Sequence, residues 1–143
     1  MGLDNGIIVQ GKNKNVKSML KERYAYLEES YNPGEYEFGY WRKSWNIRQR
    51  FLDVLYFKEQ EQEHSGIILL SIEDIPVIVN KVLKYFLVES NWEYRDCSST
   101  AFTWIEQLPS IARSIYDLSS LYEDIKNKGI TDDEIEIYFY DSY

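Results

Sequence analysis

The two ends of the chain carry the residue patterns of β-strands. Residues 3–10 contain a β-branched run and end at a Gly-Lys-Asn break, which predicts a short strand. Residues 134–140 alternate, with three apolar residues on one face and acidic or phenolic residues on the other, which predicts a half-buried strand. The continuous apolar run 66–70 predicts a third, buried strand.

Between these segments, apolar residues recur at three- and four-residue spacing, which is typical of amphipathic helices. Four such helices are predicted. They cover residues 16–31, residues 40–57, a segment that follows a capping box of Ser71 and Asp74, and a last segment that starts between residues 99 and 103, is kinked by Pro109 and ends at Gly129.

The order of these elements, β-α-α-β-α-α-β, predicts an α+β fold. No internal repeat, Gly/Ser linker or low-complexity tract divides the chain, so residues 1–143 are expected to form a single domain. Terminal strands that are separated by helices are usually partners in one sheet. We therefore expect a small antiparallel or mixed sheet that includes both terminal strands and packs against about four helices.

Charge and composition exclude several classes of protein. The formal net charge of −8 disfavours direct binding to nucleic acid or to an anionic membrane surface. The longest apolar runs fall far short of the roughly 20 residues of a membrane-spanning helix, and no signal-peptide layout opens the chain. The single cysteine, Cys97, excludes an intrachain disulfide, so a reducing compartment, the cytoplasm, is the expected location.

Basic and aromatic groups concentrate in the segment Tyr40-Trp41-Arg42-Lys43, at the start of the second predicted helix. Guanidinium and ammonium groups bind phosphate, an indole stacks on a planar base, and a helix N-terminus offers free backbone N–H groups. The segment therefore predicts a site for a phosphate-bearing planar ligand. The structural alternative makes Trp41 a core residue and Arg42 and Lys43 a solvated face.

A second feature of the same predicted helix is Arg48, which falls on its apolar stripe with Trp41 and Trp45. Burying an unpaired cation costs several kcal/mol, so Arg48 needs a carboxylate partner or an anionic ligand. Asp4 of the first strand is a candidate for that partner, and it is equally a candidate ligand contact.

The C-terminal strand places two phenols on one face and ends in polar groups, a tail that lines a pocket, closes a dimer or forms a covered edge. A homodimer is therefore one expectation.

The sequence evidence for catalytic residues is weaker. His64 and Cys97 occur once each, so their pairing as a nucleophilic dyad would be a coincidence, and no Gly-rich phosphate loop is present. Neither a metal nor a cofactor is expected.

Several of these segments resemble small proteins encoded by bacteriophages and prophages. The shared features are the opening Met-Gly-Leu-Asp, the segment Gly-Tyr-Trp-Arg-Lys and a closing aromatic strand. The chain departs from that pattern at Asn5-Gly6-Ile7 and at its final Tyr143. The resemblance implies a phage or prophage origin and a bacterial host cytosol, but no activity. The shared site that it implies contains Asp4, Tyr40, Trp41, Arg42, Lys43, Tyr140 and Ser142.

Three functions follow as hypotheses. The first is a non-enzymatic binding protein, a counter-defence factor that sequesters a nucleotide-like ligand or engages a host protein. The second is an acidic nucleic-acid mimic that blocks a host protein, and the third is a nucleotide-processing enzyme. The expected partner is an anionic small molecule or a host protein, bound by Asp4, Tyr40, Trp41, Arg42, Lys43, Arg48, Tyr140 and Ser142.

Overall fold

A four-stranded antiparallel sheet with the strand order β2-β1-β4-β3 forms the centre of the fold. We describe it from a computed structural model, for residues 4–27, 32–42, 44–55, 66–88 and 107–142. The strands are β1 (Asp4–Gly11), β2 (Glu35–Arg42), β3 (Ile67–Leu70) and β4 (Ile135–Ser142).

The two terminal strands are the central pair of this sheet. β1 lies antiparallel to β4 along its whole length, from Asp4 opposite Ser142 to Gly11 opposite Ile135. β1 pairs with β2 on its other edge, and β3 closes the sheet beside β4. The prediction of an α+β fold built on both terminal strands is confirmed.

The described helices contribute their apolar residues to one core on one face of the sheet. They are α1 (Lys14–Arg23), α2 (Trp45–Val54), α3 (Asp74–Val77) and α4 (Leu108–Lys128). α3 continues as a π-helical segment, Ile78–Leu83, and a 3₁₀ turn, Lys84–Leu87. None of the described helices is both long enough and apolar enough to cross a membrane.

Aromatic stacking ties α2 to the sheet inside this core. The ring of Phe51 stacks on Phe139 of β4, with the ring centroids 4.5 Å apart, and lies 5.5 Å from Trp41 of β2. All three side chains are fully buried. Together with Ile7 and Val9 of β1, they form the centre of the core.

The prediction of a helix starting at Tyr40 is wrong, because residues 35–42 form β2 and helix α2 starts only at Trp45. Pairing with β1 decides the structure of this segment. At Gly39, an added Cβ would lie only 2.5 Å from the indole of Trp41, so the glycine leaves the space that this side chain fills. Tyr40 and Trp41 therefore stand at the end of a strand.

The first helix is shorter than predicted. α1 ends at Arg23 rather than at residue 31, because Tyr24 turns into the core and hydrogen-bonds Ser120 and Asp124 of α4.

The last helix differs from the prediction at its start. Pro109 lies in the first turn of α4, where its missing N–H costs nothing, so it causes no kink. The predicted start of that helix, residues 99–103, lies outside the described residues. Its predicted end is confirmed: Gly129 caps it with φ 66°.

The capping box predicted for the third helix forms in part. The carboxylate of Asp74 accepts a hydrogen bond from the backbone N–H of Ser71 at 2.8 Å, and the helix begins at Asp74. The side chain of Ser71 contributes no cap, since Glu73 occupies the N-cap position. The short helix therefore has its acidic residue in the first turn, where the helix dipole favours it.

The strand β3 is buried on one face only, which corrects the prediction of a buried strand. Ile68 faces the core and is 2% exposed, whereas Leu69 is 52% exposed.

Replacing Ile68 with Ala should lower the free energy of unfolding by about 2–4 kcal/mol, because it opens a cavity. Leu69→Ala in the same strand should cost less than about 1 kcal/mol. Urea denaturation compares the two, and equal costs would contradict the observed register.

Candidate functional site

The face of the sheet opposite the core carries most of the predicted site residues. Along β1, Ile7 and Val9 point into the core, while Asp4, Gly6 and Ile8 point to the other side. Ile8 is itself buried but lies outside the core cluster, which confirms that the sheet has two distinct faces. We call the second one the open face.

Two neighbouring rows of the open face are aromatic and aliphatic. In the first, Tyr40, Gly6, Tyr140 and Ile67 follow one another across all four strands, and in the second Ile8, Tyr138 and Leu69 are neighbours. Tyr40 and Ile67 are each 42% exposed, and Leu69 is 52% exposed. We call the following five side chains the tyrosine band: Tyr40, Ile67, Leu69, Tyr138 and Tyr140.

A glycine lets the tyrosine band close over β1. An added Cβ at Gly6 would lie 2.9 Å from the ring of Tyr140 and 2.3 Å from the carbonyl oxygen of Gly39. The Tyr140 ring therefore lies across the central strand, toward Tyr40 on the neighbouring strand. An alanine at position 6 would displace both the ring and the strand pairing.

Polar rows border the tyrosine band on both sides. On one side, Arg42, Asp4 and Ser142 are partners across three strands, and the Asp4 carboxylate contributes to the raised pKa of Tyr40. On the other side, the Gln10 amide donates to Glu136 at 2.9 Å. The charges of the described open face are one guanidinium, on Arg42, against four carboxylates, on Asp4, Glu35, Glu37 and Glu136.

The phenols of the tyrosine band are held in their neutral form. Burial raises the pKa of Tyr138 to about 12, with further contributions from the nearby carboxylates of Glu35 and Glu136. Burial also raises the pKa of Tyr140, and the negative charge of Glu37 adds to the effect. The pKa of Tyr40 is raised by burial and then by Asp4. At neutral pH these groups are uncharged and can donate hydrogen bonds.

The core face of the same sheet end holds a second group of polar residues. Trp41, Asn5 and Asp141 form one row across β2, β1 and β4, and all three are buried. Arg48 of α2 reaches this row, where its Nε donates to Asp141 at 2.7 Å. The loop and helix start above it add Ser44 and Asn46. We call the six residues the buried polar cluster: Asn5, Trp41, Ser44, Asn46, Arg48 and Asp141.

Several atoms of the buried polar cluster have no hydrogen-bond partner in the described structure. They are Asn5 Oδ1, Trp41 Nε1, Ser44 Oγ, Asn46 Oδ1 and Asp141 Oδ1. A buried polar atom without a partner costs on the order of 1–3 kcal/mol. This end of the sheet is therefore less stable than an apolar core of the same shape would be, and Arg48 is the group that neutralises its carboxylate.

The predicted site residues thus divide between two faces of the sheet. Four of them lie on the open face, as does the backbone position of Ser142, while Trp41 and Arg48 belong to the buried polar cluster. Lys43 lies outside the described residues. Because Arg42 is exposed and Trp41 is buried on the opposite face, the guanidinium and the indole do not line one ligand site. The four on the open face are Asp4, Tyr40, Arg42 and Tyr140.

The partner of Arg48 is Asp141 rather than Asp4, which corrects one of the two roles that the sequence suggested for Asp4. The alternation of residues in the C-terminal strand could have identified Asp141 as this partner. Continuing the alternation of Ile137 and Phe139 by one step places Asp141 on the core face. A carboxylate at a buried strand position is the expected counterpart of a cation on an apolar helix stripe.

Metal-ligating side chains and the His–Cys dyad are the two catalytic arrangements that the sequence brings into question. In the described part of the chain, no three His, Cys, Asp or Glu side chains are arranged to hold a metal ion. His64 and Cys97, the two residues of the dyad considered above, both lie outside the described residues.

Arg48 and Asp141 should depend on each other, so that removing one charge costs more than removing both. Their side chains are 15% and 2% exposed. Arg48→Met leaves a buried carboxylate unpaired and should lower the free energy of unfolding by about 3 kcal/mol. The double variant Arg48→Met/Asp141→Leu removes both charges and should be more stable than the single variant, by about 1 kcal/mol or more.

A matched control for this pair is Arg50 on the same helix, which donates to the Lys81 carbonyl and stacks on Tyr85. Arg50→Met should cost only about 1 kcal/mol, since it leaves no buried carboxylate unpaired. Urea denaturation measures all three variants. A double variant that is no more stable than Arg48→Met would contradict the dependence of Arg48 and Asp141 on each other.

The raised pKa of Tyr138 predicts a loss of stability at alkaline pH. A phenol in the unfolded chain has a pKa of about 10, so the contribution of Tyr138 is complete below about pH 10 and is lost as the pH rises toward 12. The free energy of unfolding of wild type, relative to Tyr138→Phe, should fall between about pH 9 and pH 11.5. A constant difference over that range would contradict the burial of this phenol.

No protein-family model, curated protein or solved structure is significantly similar to this chain. Its function is therefore inferred from the two faces of the sheet and from the chemistry that each presents.

Proposed function

We propose that this chain is a non-enzymatic binding protein that engages a partner protein through the open face of its sheet. The observation that carries the proposal is the tyrosine band. One row of the band crosses all four strands and the second crosses β1, β4 and β3, with Glu37 at its position on β2, and Tyr40, Ile67 and Leu69 remain substantially exposed. An apolar centre with a polar rim is the anatomy of a protein–protein interface.

Tyrosine suits such a surface for physical reasons. Its ring supplies a large, rigid contact area with few rotatable bonds, and its hydroxyl can donate a hydrogen bond at the edge of the contact. The phenols of Tyr138 and Tyr140 stay neutral far above physiological pH, so a partner meets donors rather than anions. The pKa of Tyr40 is also raised, by burial and then by the charge of Asp4, so this phenol is a donor as well.

The size of the open face sets the kind of complex that it can support. Four strands about 4.8 Å apart and up to eight residues of about 3.4 Å each give an area on the order of 500 Å². A standard interface covers about 800 Å² on each partner. The partner therefore also contacts the polar rows and the flanking loops, or else the complex is transient.

The charge of the open face favours a basic partner. Four carboxylates surround the tyrosine band against the single guanidinium of Arg42, and the whole chain carries −8. Opposite charge speeds association and selects the partner. The same charge disfavours a second copy of this chain on the open face. It also disfavours a nucleotide there, whose phosphates would meet the carboxylates.

The resemblance to phage-encoded proteins supports a bacterial host protein as that partner and counter-defence as the role. The acidic-mimic hypothesis also requires a basic partner, but it places the contact on acidic surface in general. The two hypotheses differ in whether the tyrosine band is needed for binding.

Site-specific photo-crosslinking tests this proposal. A photo-reactive phenylalanine analogue is incorporated at Tyr40 and, as a control, at Tyr116, an exposed tyrosine of α4 that lies outside the open face. After irradiation in bacterial cells, position 40 should form an adduct with one protein species and position 116 should not. The double variant Tyr40→Ser/Leu69→Ser should reduce capture of that protein at least about tenfold, because truncating interface anchors costs roughly 1–2 kcal/mol each.

Specific outcomes would contradict the proposal. Equal adducts from positions 40 and 116, or none from position 40, would remove the tyrosine band as an interface. An adduct of twice the chain mass would identify a homodimer instead. Capture that is salt-sensitive but unchanged in Tyr40→Ser/Leu69→Ser would favour the acidic-mimic hypothesis.

A further inference from the structure

A groove lined by lysines lies at the opposite end of β1 from Asp4. It has a volume of about 560 Å³ and is bounded by the end of β1, by one side of α1 and by the turn that leads into β2. This size falls within the range of about 300–1,000 Å³ that is usual for small-molecule sites. We call it the lysine groove, and its lining residues are Gln10, Gly11, Lys12, Lys17, Lys21, Pro33, Gly34 and Tyr36.

Close packing between β1 and α1 brings the lysines together. A Cβ added at Gly11 would lie 2.7 Å from the backbone nitrogen of Lys17, so the glycine allows the end of the strand to approach the first turn of the helix. Asn13 caps that helix by accepting a hydrogen bond from the Val16 N–H at 2.9 Å. Lys17 and Lys21 follow one turn apart on the side that faces the groove.

The groove concentrates positive charge in an acidic protein. Its lining includes three lysines and no carboxylate, while the chain as a whole carries −8. Lysines at positions i and i+4 repel each other by about 0.2–0.5 kcal/mol. Neither Lys17 nor Lys21 has an acidic residue three or four positions away on its own helix, and neither forms an ion pair with a described residue.

Two described carboxylates at this end of the sheet engage other groups. The pKa of Asp133 is lowered first by the hydrogen bond from Thr131, and Lys12 adds a smaller electrostatic effect. Glu136 accepts the hydrogen bond of Gln10, whose side chain also lines the groove. Lys12 is therefore partly compensated, whereas Lys17 and Lys21 form no ion pair with a residue that the structure describes.

We propose that the lysine groove binds a small anion that carries a chain of phosphates. Three ammonium groups act as point charges with rotatable donors, which suits several phosphate groups in a row better than a single planar carboxylate. The groove differs from the tyrosine band, whose positions on β1 are Gly6 and Ile8, and it adjoins the open face at Gln10, which lines the groove and also belongs to a polar row of that face. The inference is independent of the proposed partner protein.

Isothermal titration calorimetry with inorganic tripolyphosphate, ATP and orthophosphate tests this inference. Wild type should bind tripolyphosphate more tightly than orthophosphate. The variant Lys17→Gln/Lys21→Gln should weaken tripolyphosphate binding at least about tenfold, since each lost contact is worth roughly 1 kcal/mol. The control Lys14→Gln/Lys128→Gln removes the same charge from exposed lysines outside the groove and should keep wild-type affinity.

The outcomes separate the sources of binding. ATP and tripolyphosphate of equal affinity would show that the phosphate chain alone is recognised, and tighter ATP binding would show that the groove also holds the nucleoside; both support the inference. No heat of binding with millimolar tripolyphosphate, or equal weakening in the two double variants, would overturn it. A thermal unfolding scan confirms that each variant is folded. Crosslinking from position 40 should be unaffected by either variant.

Discussion

Hydrogen bonding of β1 along both of its edges is the constraint on which the rest of this structure depends. Because β2 and β4 both pair with it, the two-residue period of one strand sets the direction of side chains in three. The residues of β2 and β4 that pair with Asn5 and Ile7 lie on the core face, and those that pair with Asp4 and Gly6 lie on the open face. The separation of an apolar core, a buried polar cluster and a tyrosine band follows from this pairing.

The buried polar cluster is the part of this arrangement that places polar and charged groups inside the core. In the row of Trp41, Asn5 and Asp141 beneath α2, several polar atoms have no partner among the described residues, which makes the row less favourable than an apolar one. Arg48 of α2 places a cation on this row and neutralises its carboxylate. The ion pair therefore connects α2 to the end of β4.

Much of the fold could be predicted from the sequence, because the terminal strands, β3 and the end of α4 carry regular patterns and a glycine cap. β2 could not, because a β-bulge interrupts its alternation. Glu37 and Gly39 face consecutive residues of β1, so Phe38 is an extra residue. Tyr36 lies in the core before the bulge, Phe38 of the bulge itself is also in the core, and Trp41 follows after it. A prediction that assumes strict alternation of buried and exposed residues fails at such a bulge.

The same bulge explains why the candidate site was predicted only in part. Composition drew attention to the neighbourhood of Tyr40 and Arg42, and both lie on the open face. It could not separate them from Trp41, because that distinction depends on strand pairing over long sequence distances. The lysine groove was missed for a similar reason: its lysines come from a strand end and from a helix, and only the fold brings them together.

The two proposed surfaces have opposite electrostatic character. The open face is acidic and aromatic, and the lysine groove is basic, so they suit different ligands. The tyrosine band crosses β1 at Gly6 and Ile8, and the groove begins at Gln10 and Gly11 of the same strand. Both surfaces therefore depend on the placement of β1.

The most direct test of the account is NMR spectroscopy with a soluble paramagnetic probe, which broadens the signals of solvent-accessible side chains. If β1 and β2 pair as described, the Tyr40 ring should be broadened, and the indole of its neighbour Trp41 should be protected. Broadening of both rings, or protection of Tyr40, would show that these two residues do not lie on opposite faces of a strand and would contradict the account.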